Sequence, residues 1–349
     1  MGRYTAALAV FAGSALGLAA LAILAAGPGE AQPPRLFFQV ATGATAGSYF
    51  PMGELIARIV SHPAGLARCD ANGACGPSGL IVSARTSDGA VANVLAVERG
   101  DVDSGFSQAN VVADAVAGRG AFRRTGRLKH IRVIADLFPE TVQLVVAANS
   151  KIRNVADLAG KRVSIGTDGS GANVVAREIL SAYWVSERRL KLRRESYDVS
   201  ASLLLQGKID AFFFQGVSPS PLIGDLLARG AARLVPIDGA ARRRLLRRVP
   251  NLFADTISAD LYPHTAAIPT VSSRTLWIVK DTASPDIVYG ILRALFDPAN
   301  RALLDAGPPA GRYIRLEDAA GSLTAPLHPG AERFYREMGK FSDARTPRR

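Results

Sequence analysis

Apolar residues in this chain come in two patterns. Some form short continuous runs, and others recur three and four positions apart; these are the marks of buried strands and of amphipathic helices. Leu36–Ala41 is a run of the first kind, and Met52, Leu55, Ile56, Ile59 and Val60 follow with helical spacing. Residues 80–84 predict a strand, 88–97 a helix, 102–106 a strand and 111–116 a helix. Residues 131–135 and 142–148 read as two further strands. A short helix at 155–158, a strand at 162–165 and a helix at 174–183 come next. The rest alternates in the same way: strand 211–214, helix 222–227, strand 234–237, helix 240–248, strand 276–279 and helix 286–295. Alternation of this kind predicts an α/β protein with largely parallel sheets.

Two glycine-rich turns stand out because each follows a strand and opens a helix. The first is Thr42-Gly43-Ala44-Thr45-Ala46-Gly47-Ser48-Tyr49-Phe50-Pro51-Met52-Gly53, and the second is Gly166-Thr167-Asp168-Gly169-Ser170-Gly171-Ala172-Asn173. Such turns gather unpaired amides at the positive end of a helix dipole, which favours an anion. The first turn lacks a Gly-Lys-Ser/Thr ending and is not G-x-G-x-x-G. It therefore suits a small carboxylate better than a nucleotide, with a tight ligand-free turn as the alternative. In open α/β sheets ligands sit beyond the carboxyl ends of strands. The pair reads as corresponding turns of two lobes that face each other across a cleft, the geometry of a closing binding protein.

Composition and charge narrow the setting. Arg3 followed by an apolar run from residue 6 to 26, with Gly29-Glu30-Ala31 as a cleavage site, reads as a signal peptide over residues 1–31. The run is also long enough to remain as an uncleaved anchor. No cysteine follows it to carry a lipid, and no later segment is apolar enough to span a bilayer. The expected location is the periplasm. The remaining length fits two domains at roughly 150 residues each. Net charge is +12, much of it in Arg188, Arg189, Lys191, Arg193 and Arg194 and in Arg242, Arg243, Arg244, Arg247 and Arg248. No aromatic residues interleave with these runs, so they read as solvated helix faces and no nucleic-acid partner is expected. Cys69 and Cys75 are the only cysteines. In an oxidising compartment they are expected to form a disulfide. No metal site is expected: only His62 lies near, and His130, His264 and His328 show no ligand spacing.

Several further motifs fall in one order along the chain. Thr86-Ser87-Asp88-Gly89-Ala90-Val91-Ala92-Asn93 precedes Gly100-Asp101-Val102-Asp103 and Phe106-Ser107-Gln108-Ala109-Asn110. Asp157-Leu158-Ala159-Gly160-Lys161-Arg162-Val163 leads into the second half, where Asp210-Ala211-Phe212-Phe213-Phe214 is followed by Pro219 and Pro221. Leu327-His328-Pro329-Gly330-Ala331-Glu332-Arg333-Phe334-Tyr335 closes the series. Together with the turn at 42–53, these resemble the signatures of the TAXI-type solute receptors of TRAP transporters, over essentially the whole chain after the leader. Ala90 stands where that family has Ser, Asn110 where Asp is usual, and Gln215 and Ser218 where small or apolar residues are common.

The resemblance implies a two-lobed periplasmic binding protein of the type II kind, with two crossovers between lobes. Lobe 1 would comprise residues 32–142 and 273–349, and lobe 2 residues 143–272. It implies a monomeric receptor that needs no cofactor. Such a receptor captures a small organic anion, a carboxylate or acidic amino acid, and delivers it to TRAP membrane permease subunits driven by an ion gradient. A ligand-binding sensor that presents the solute to a membrane signalling receptor is the alternative. Candidate ligand contacts are Gly43, Thr45, Gly47, Ser48 and Tyr49 on the first turn and Asn93 and Gln108 in the first lobe. Thr167, Ser170 and Asn173 on the second turn and Gln215 and Ser218 complete the set. Tyr49 could instead be a core aromatic, Asn93 and Gln108 could only cap backbone, and Ser170 could be a helix N-cap. His328 reads as a packing residue. No enzyme is expected. Ser170 is flanked by Asp168 and Ala172, and Ser107 by Gly105 and Ala109, so neither is a G-x-S-x-G elbow; no H-E-x-x-H and no Cys–His pair appears.

Overall fold

The computed structural model describes residues 35–63, 75–259, 261–263 and 265–340. The expected signal peptide and Cys69, one half of the expected disulfide, lie outside the described residues. Every element below belongs to the compact unit Arg35–Arg349.

The first stretch alternates as the apolar spacing predicts: β1 (Leu36–Ala41), α1 (Tyr49–Val60), β2 (Leu80–Arg85), α2 (Ala90–Arg99), β3 (Ser104–Gln108) and α3 (Ala109–Ala117). Next comes β4 (Ile131–Ala147), a single long strand where two were expected, because polar residues interrupt its apolar run. A 3-10 turn at Val155–Leu158 leads to β5 (Arg162–Ser164), α4 (Gly171–Ala182), β6 (Lys191–Arg193) and α5 (Tyr197–Leu205). No expectation covered α5. Then follow β7 (Ala211–Gly216), α6 (Pro221–Ala228), β8 (Ala232–Val235), α7 (Gly239–Arg248), β9 (Leu252–Ile257) and β10 (Ile268–Lys280). The chain closes with α8 (Pro285–Leu295), α9 (Arg301–Ala306) and α10 (Pro329–Glu337).

All strands join one ten-stranded sheet in the order β2-β1-β3-β10-β4-β7-β5-β6, with β8 added to β4 and β9 to β10. The parallel ladders expected from the alternation lie toward its two ends, where β1 pairs with β2 and β3, and β5 with β6 and β7. The centre is antiparallel, which makes the sheet mixed. The reason is the path of the chain. It leaves one core on β4 and returns on β10, so these neighbours must run in opposite directions, and they pair from Ile131 to Thr141.

The apolar residues form three cores. One gathers Phe38, Met52, Ile56, Phe106, Phe138, Trp277 and Tyr335 with others from residues 38–138 and 276–335. The other two flank opposite faces of the remaining part of the sheet. Val142, Leu144, Val146, Ala211 and Phe213 face one of them. Val145, Phe212 and Phe214 face the other. Side chains alternate across a strand, so the uninterrupted apolar run of β7 marks burial on both sides. His328 is fully buried and belongs to the packing: its Nδ1 accepts from the Gly330 amide at the start of α10, and its Nε2 lies 3.0 Å from the Ala283 carbonyl. Phe213 is 1% exposed. Phe213→Ala should cost about 3–5 kcal/mol of unfolding free energy, the usual range for a buried phenylalanine, in a urea titration.

Candidate functional site

Between the two crossing strands the chain is polar and buried. Glu140 and Thr141 of β4 lie opposite Ser273 and Ser272 of β10, and Thr270, Gln143, Thr275 and Gln215 are buried around them. A partly open cavity of about 180 Å³ lies against this belt. It is small beside the roughly 300–1,000 Å³ of pockets for drug-sized ligands. Its walls come from loops attached to different cores: residues 43–49 and 87–90 from one side, and residues 166–171 and 195–197 from the other.

These walls are tied together. The amides of Val91 and Ala92, in the first turn of α2, donate to the Gly169 carbonyl at 3.0 and 3.2 Å. The Thr167 hydroxyl donates to the Asp88 carbonyl at 3.1 Å, and the Val217 amide donates to Ser48 Oγ at 2.8 Å. The contact needs glycine. A Cβ on Gly169 would lie 2.7 Å from that of Asp88, and one on Gly171 would lie 1.6 Å from Gln108 Oε1.

The candidate residues divide by where their polar atoms point. Gly43, Gly47, Ser48, Tyr49, Gln108, Thr167, Ser170 and Gln215 line the cavity. Ser170 also caps α4, accepting from the Asn173 amide. Thr45 lines a neighbouring apolar cavity instead. Asn93, Asn173 and Ser218 do not reach the site. The Asn93 amide donates to the Thr42 and Phe106 carbonyls. That of Asn173 donates to the Gly166 carbonyl. Ser218 Oγ accepts from Gln143. All three meet the demands of buried backbone and side-chain groups. Among the four departures from the TAXI-type pattern, Ala90 and Gln215 line the cavity, and Asn110 and Ser218 do not.

Glu140, Glu195, Ser196, Tyr197, Ser87 and Asp88 also line it, and none was anticipated. The signal for Glu140 was present: a lone carboxylate between the apolar runs Leu137-Phe138 and Val142, in a strand-like segment. Glu140 is 2% exposed and accepts a 2.8 Å hydrogen bond from the Tyr49 hydroxyl. Tyr49 in turn packs edge-on against Phe106 and Phe138. Burial raises the Glu140 carboxyl to about 7; hydrogen bonds from Tyr49 and Gln108 hold it from going higher. Burial and the nearby Glu140 charge push the hydroxyls of Tyr49 and Tyr197 up, so both stay protonated and can donate. Two further acceptors, Gln108 Oε1 and Gln215 Oε1, are buried without a partner. The charged residues lining the cavity are Asp88, Glu140 and Glu195; no lysine, arginine or histidine does.

The profile of the NMT1-like family matches residues 40–339, and the chain belongs to that family. Several solved structures share the general course of the chain. The alkanesulfonate-binding protein SsuA from Xanthomonas axonopodis pv. citri, bound to MOPS, is 17% identical over 80% of this chain and 82% of that one, with a TM-score of 0.45. The periplasmic aliphatic sulphonate binding protein SsuA from Escherichia coli is 13% identical over 77% and 72%, with a TM-score of 0.43. An ancestral arginine-binding protein bound to arginine is 12% identical over 75% and 92%, again with a TM-score of 0.43. No helix among the described residues is long and apolar enough to cross a membrane.

The Glu140 carboxyl sets a pH dependence. The folded chain keeps a proton that the unfolded chain releases near the ordinary value of 4.5. Stability of the ligand-free protein therefore falls as pH rises from 4.5 to about 7. At about 1.4 kcal/mol per pH unit, the cost at alkaline pH reaches about 3 kcal/mol. Glu140→Gln should remove that fall and make the ligand-free protein the more stable of the two at about pH 8, read from thermal melts across the pH range.

Proposed function

We propose that this chain is an extracytoplasmic solute receptor whose two lobes, residues 32–142 with 273–349 and residues 143–272, close over one small organic solute. The observation that carries this reading is the cavity built from loops of separate cores and latched across by the Gly169, Thr167 and Ser48 contacts. Walls tied together in this way from separate cores suit opening to load and closing to hold, which is the working cycle of a hinged binding protein. The leader expected at residues 1–31 fits a periplasmic location, and the TAXI-type motifs fit delivery to a TRAP permease.

The lining supports a solute of mixed polarity. On one wall the start of α4 presents amides to a carboxylate. On the other, the Glu140 carboxylate and the free oxygens of Gln108 and Gln215 ask for hydrogen-bond donors. An ammonium group meets that demand. A second carboxylate facing Glu140 would be buried beside like charge with no cation to offset it. Among small carboxylates, the lining therefore favours an amino acid over a simple dicarboxylate.

Thermal shift on the purified protein tests both levels of the proposal. Amino acids should raise the melting temperature, with a stabilisation of about 2.7 kcal/mol at a hundredfold excess over Kd. Succinate and 2-oxoglutarate should raise it less. A larger response to dicarboxylates would overturn the amino-acid preference while leaving the receptor reading intact. No response to any amino acid, carboxylate or sulfonate would count against the receptor reading itself. Gly169→Val, which drives a side chain into Asp88, should abolish the shift.

A further inference from the structure

The far end of α4 carries a feature that neither the core nor the cavity explains. The helix ends in a Schellman cap: the Val185 amide donates to the Leu180 carbonyl at 2.9 Å, and the Trp184 amide to the Ser181 carbonyl at 3.2 Å. The residue at the left-handed position of that cap is usually glycine, because a side chain there is strained. Here it is Trp184, with φ of 59°. Its ring is 77% exposed, so packing does not offset the strain.

The charge that meets the ring is basic. Arg244 lies over it at 5.2 Å and donates to the Ala182 carbonyl. Next to Arg244 on α7, Arg243 and Arg247 are exposed; Arg188 and Arg189 are exposed a few residues beyond the ring in sequence. None of these four takes part in an ion pair among the described residues, whereas Arg177 and Arg248 are neutralised by Glu187 and Glu178. No other exposed large apolar residue lies on α4, on α7 or between Trp184 and β6. A protein partner would call for a contiguous apolar centre. One exposed indole with a guanidinium over it, and unpaired arginines on the adjoining helix and the following segment, matches instead the boundary of an anionic bilayer, where tryptophan sits at headgroup depth and arginines meet lipid phosphates.

We propose that Trp184, Arg188, Arg189, Arg243, Arg244 and Arg247 form a docking surface for anionic phospholipid membranes. The cavity is lined at the opposite end of the twelve-residue helix. At about 1.5 Å per residue this is about 18 Å away, so a membrane on this surface leaves the solute site free.

Vesicle binding by the chain from residue 32 onward, which contains every described element and lacks the apolar leader, tests the proposal. The probes are vesicles of mixed phosphatidylglycerol and phosphatidylcholine, with pure phosphatidylcholine as comparison. The only other tryptophan, Trp277, is fully buried, so a blue shift in emission reports on Trp184. The expected result is sedimentation with the anionic vesicles, accompanied by that shift and reversed at about 1 M salt. Each arginine near such a surface adds roughly fivefold, so Arg243→Glu combined with Arg247→Glu should weaken binding at least about tenfold. Trp184→Gly separates docking from folding: glycine suits the cap, so the variant should melt higher than the parent and bind vesicles more weakly. Absence of binding to anionic vesicles would overturn the proposal, as would binding without the emission shift or binding unchanged in both variants. Retention on an immobilised acidic polypeptide without vesicle binding would also overturn it.

Discussion

The structure depends on one constraint: the chain passes from one core to the other and back on two adjacent antiparallel strands. At the crossing neither core can cover β4 and β10 with apolar side chains, yet both strands remain buried. The sequence there is accordingly polar, and Glu140, Thr141, Ser272 and Ser273 meet in register. Buried polar groups must find partners. Thr141 and Ser272 bond each other and Asp255, and Gln215 donates to Ser273. Glu140 turns outward to Tyr49 and the cavity. The site is thus a product of the crossover.

The contact across the cavity follows from the same arrangement. Loops at the ends of strands from both cores converge over the polar belt, and small residues let their backbones approach. Gly169 offers a carbonyl to the open first turn of α2, so one wall of the cavity caps a helix belonging to the other. The helix start gains from this contact an acceptor that its own sequence does not supply, since Gly89 at the cap has no side chain. The TAXI-type resemblance and the NMT1-like family both concern the chain as a whole, whereas the acidic lining is a property of these particular side chains.

Much of the architecture could be read in advance. Nearly every helix and strand expected from apolar spacing is present. The continuous run at Ala211-Phe212-Phe213-Phe214 marked a strand buried on both faces, and His328 was recognised as packing. The errors share a cause. β4 was split at Pro139-Glu140-Thr141, and β10 was shortened to its apolar half, because periodicity reports burial against apolar neighbours only. Helix α5 was missed for a related reason: Tyr197–Leu205 exposes Val199 and Leu205 and lacks a clean apolar stripe. Nor did the expected elements include β6, β9, α9 or α10.

In the site, sequence alone identified both glycine-rich turns, because small residues between a strand and a helix have a local physical meaning. It named Tyr49, Gln108, Ser170 and Gln215, which the fold brings to one cavity from four separate elements. It could not separate these from Asn93, Asn173 and Ser218, whose amides and hydroxyl are used up by neighbouring groups. Hydrogen-bond allegiance depends on which atoms lie within about 3 Å, and that is settled only by packing. The same holds for the charge of the site. The arginine-rich runs read from sequence as solvated faces, but that the charge left inside is Glu140 is decided only by the tertiary structure. Local pattern therefore determined the elements and the turns, while the crossing of two strands between cores decided which side chains face the cavity and with what charge.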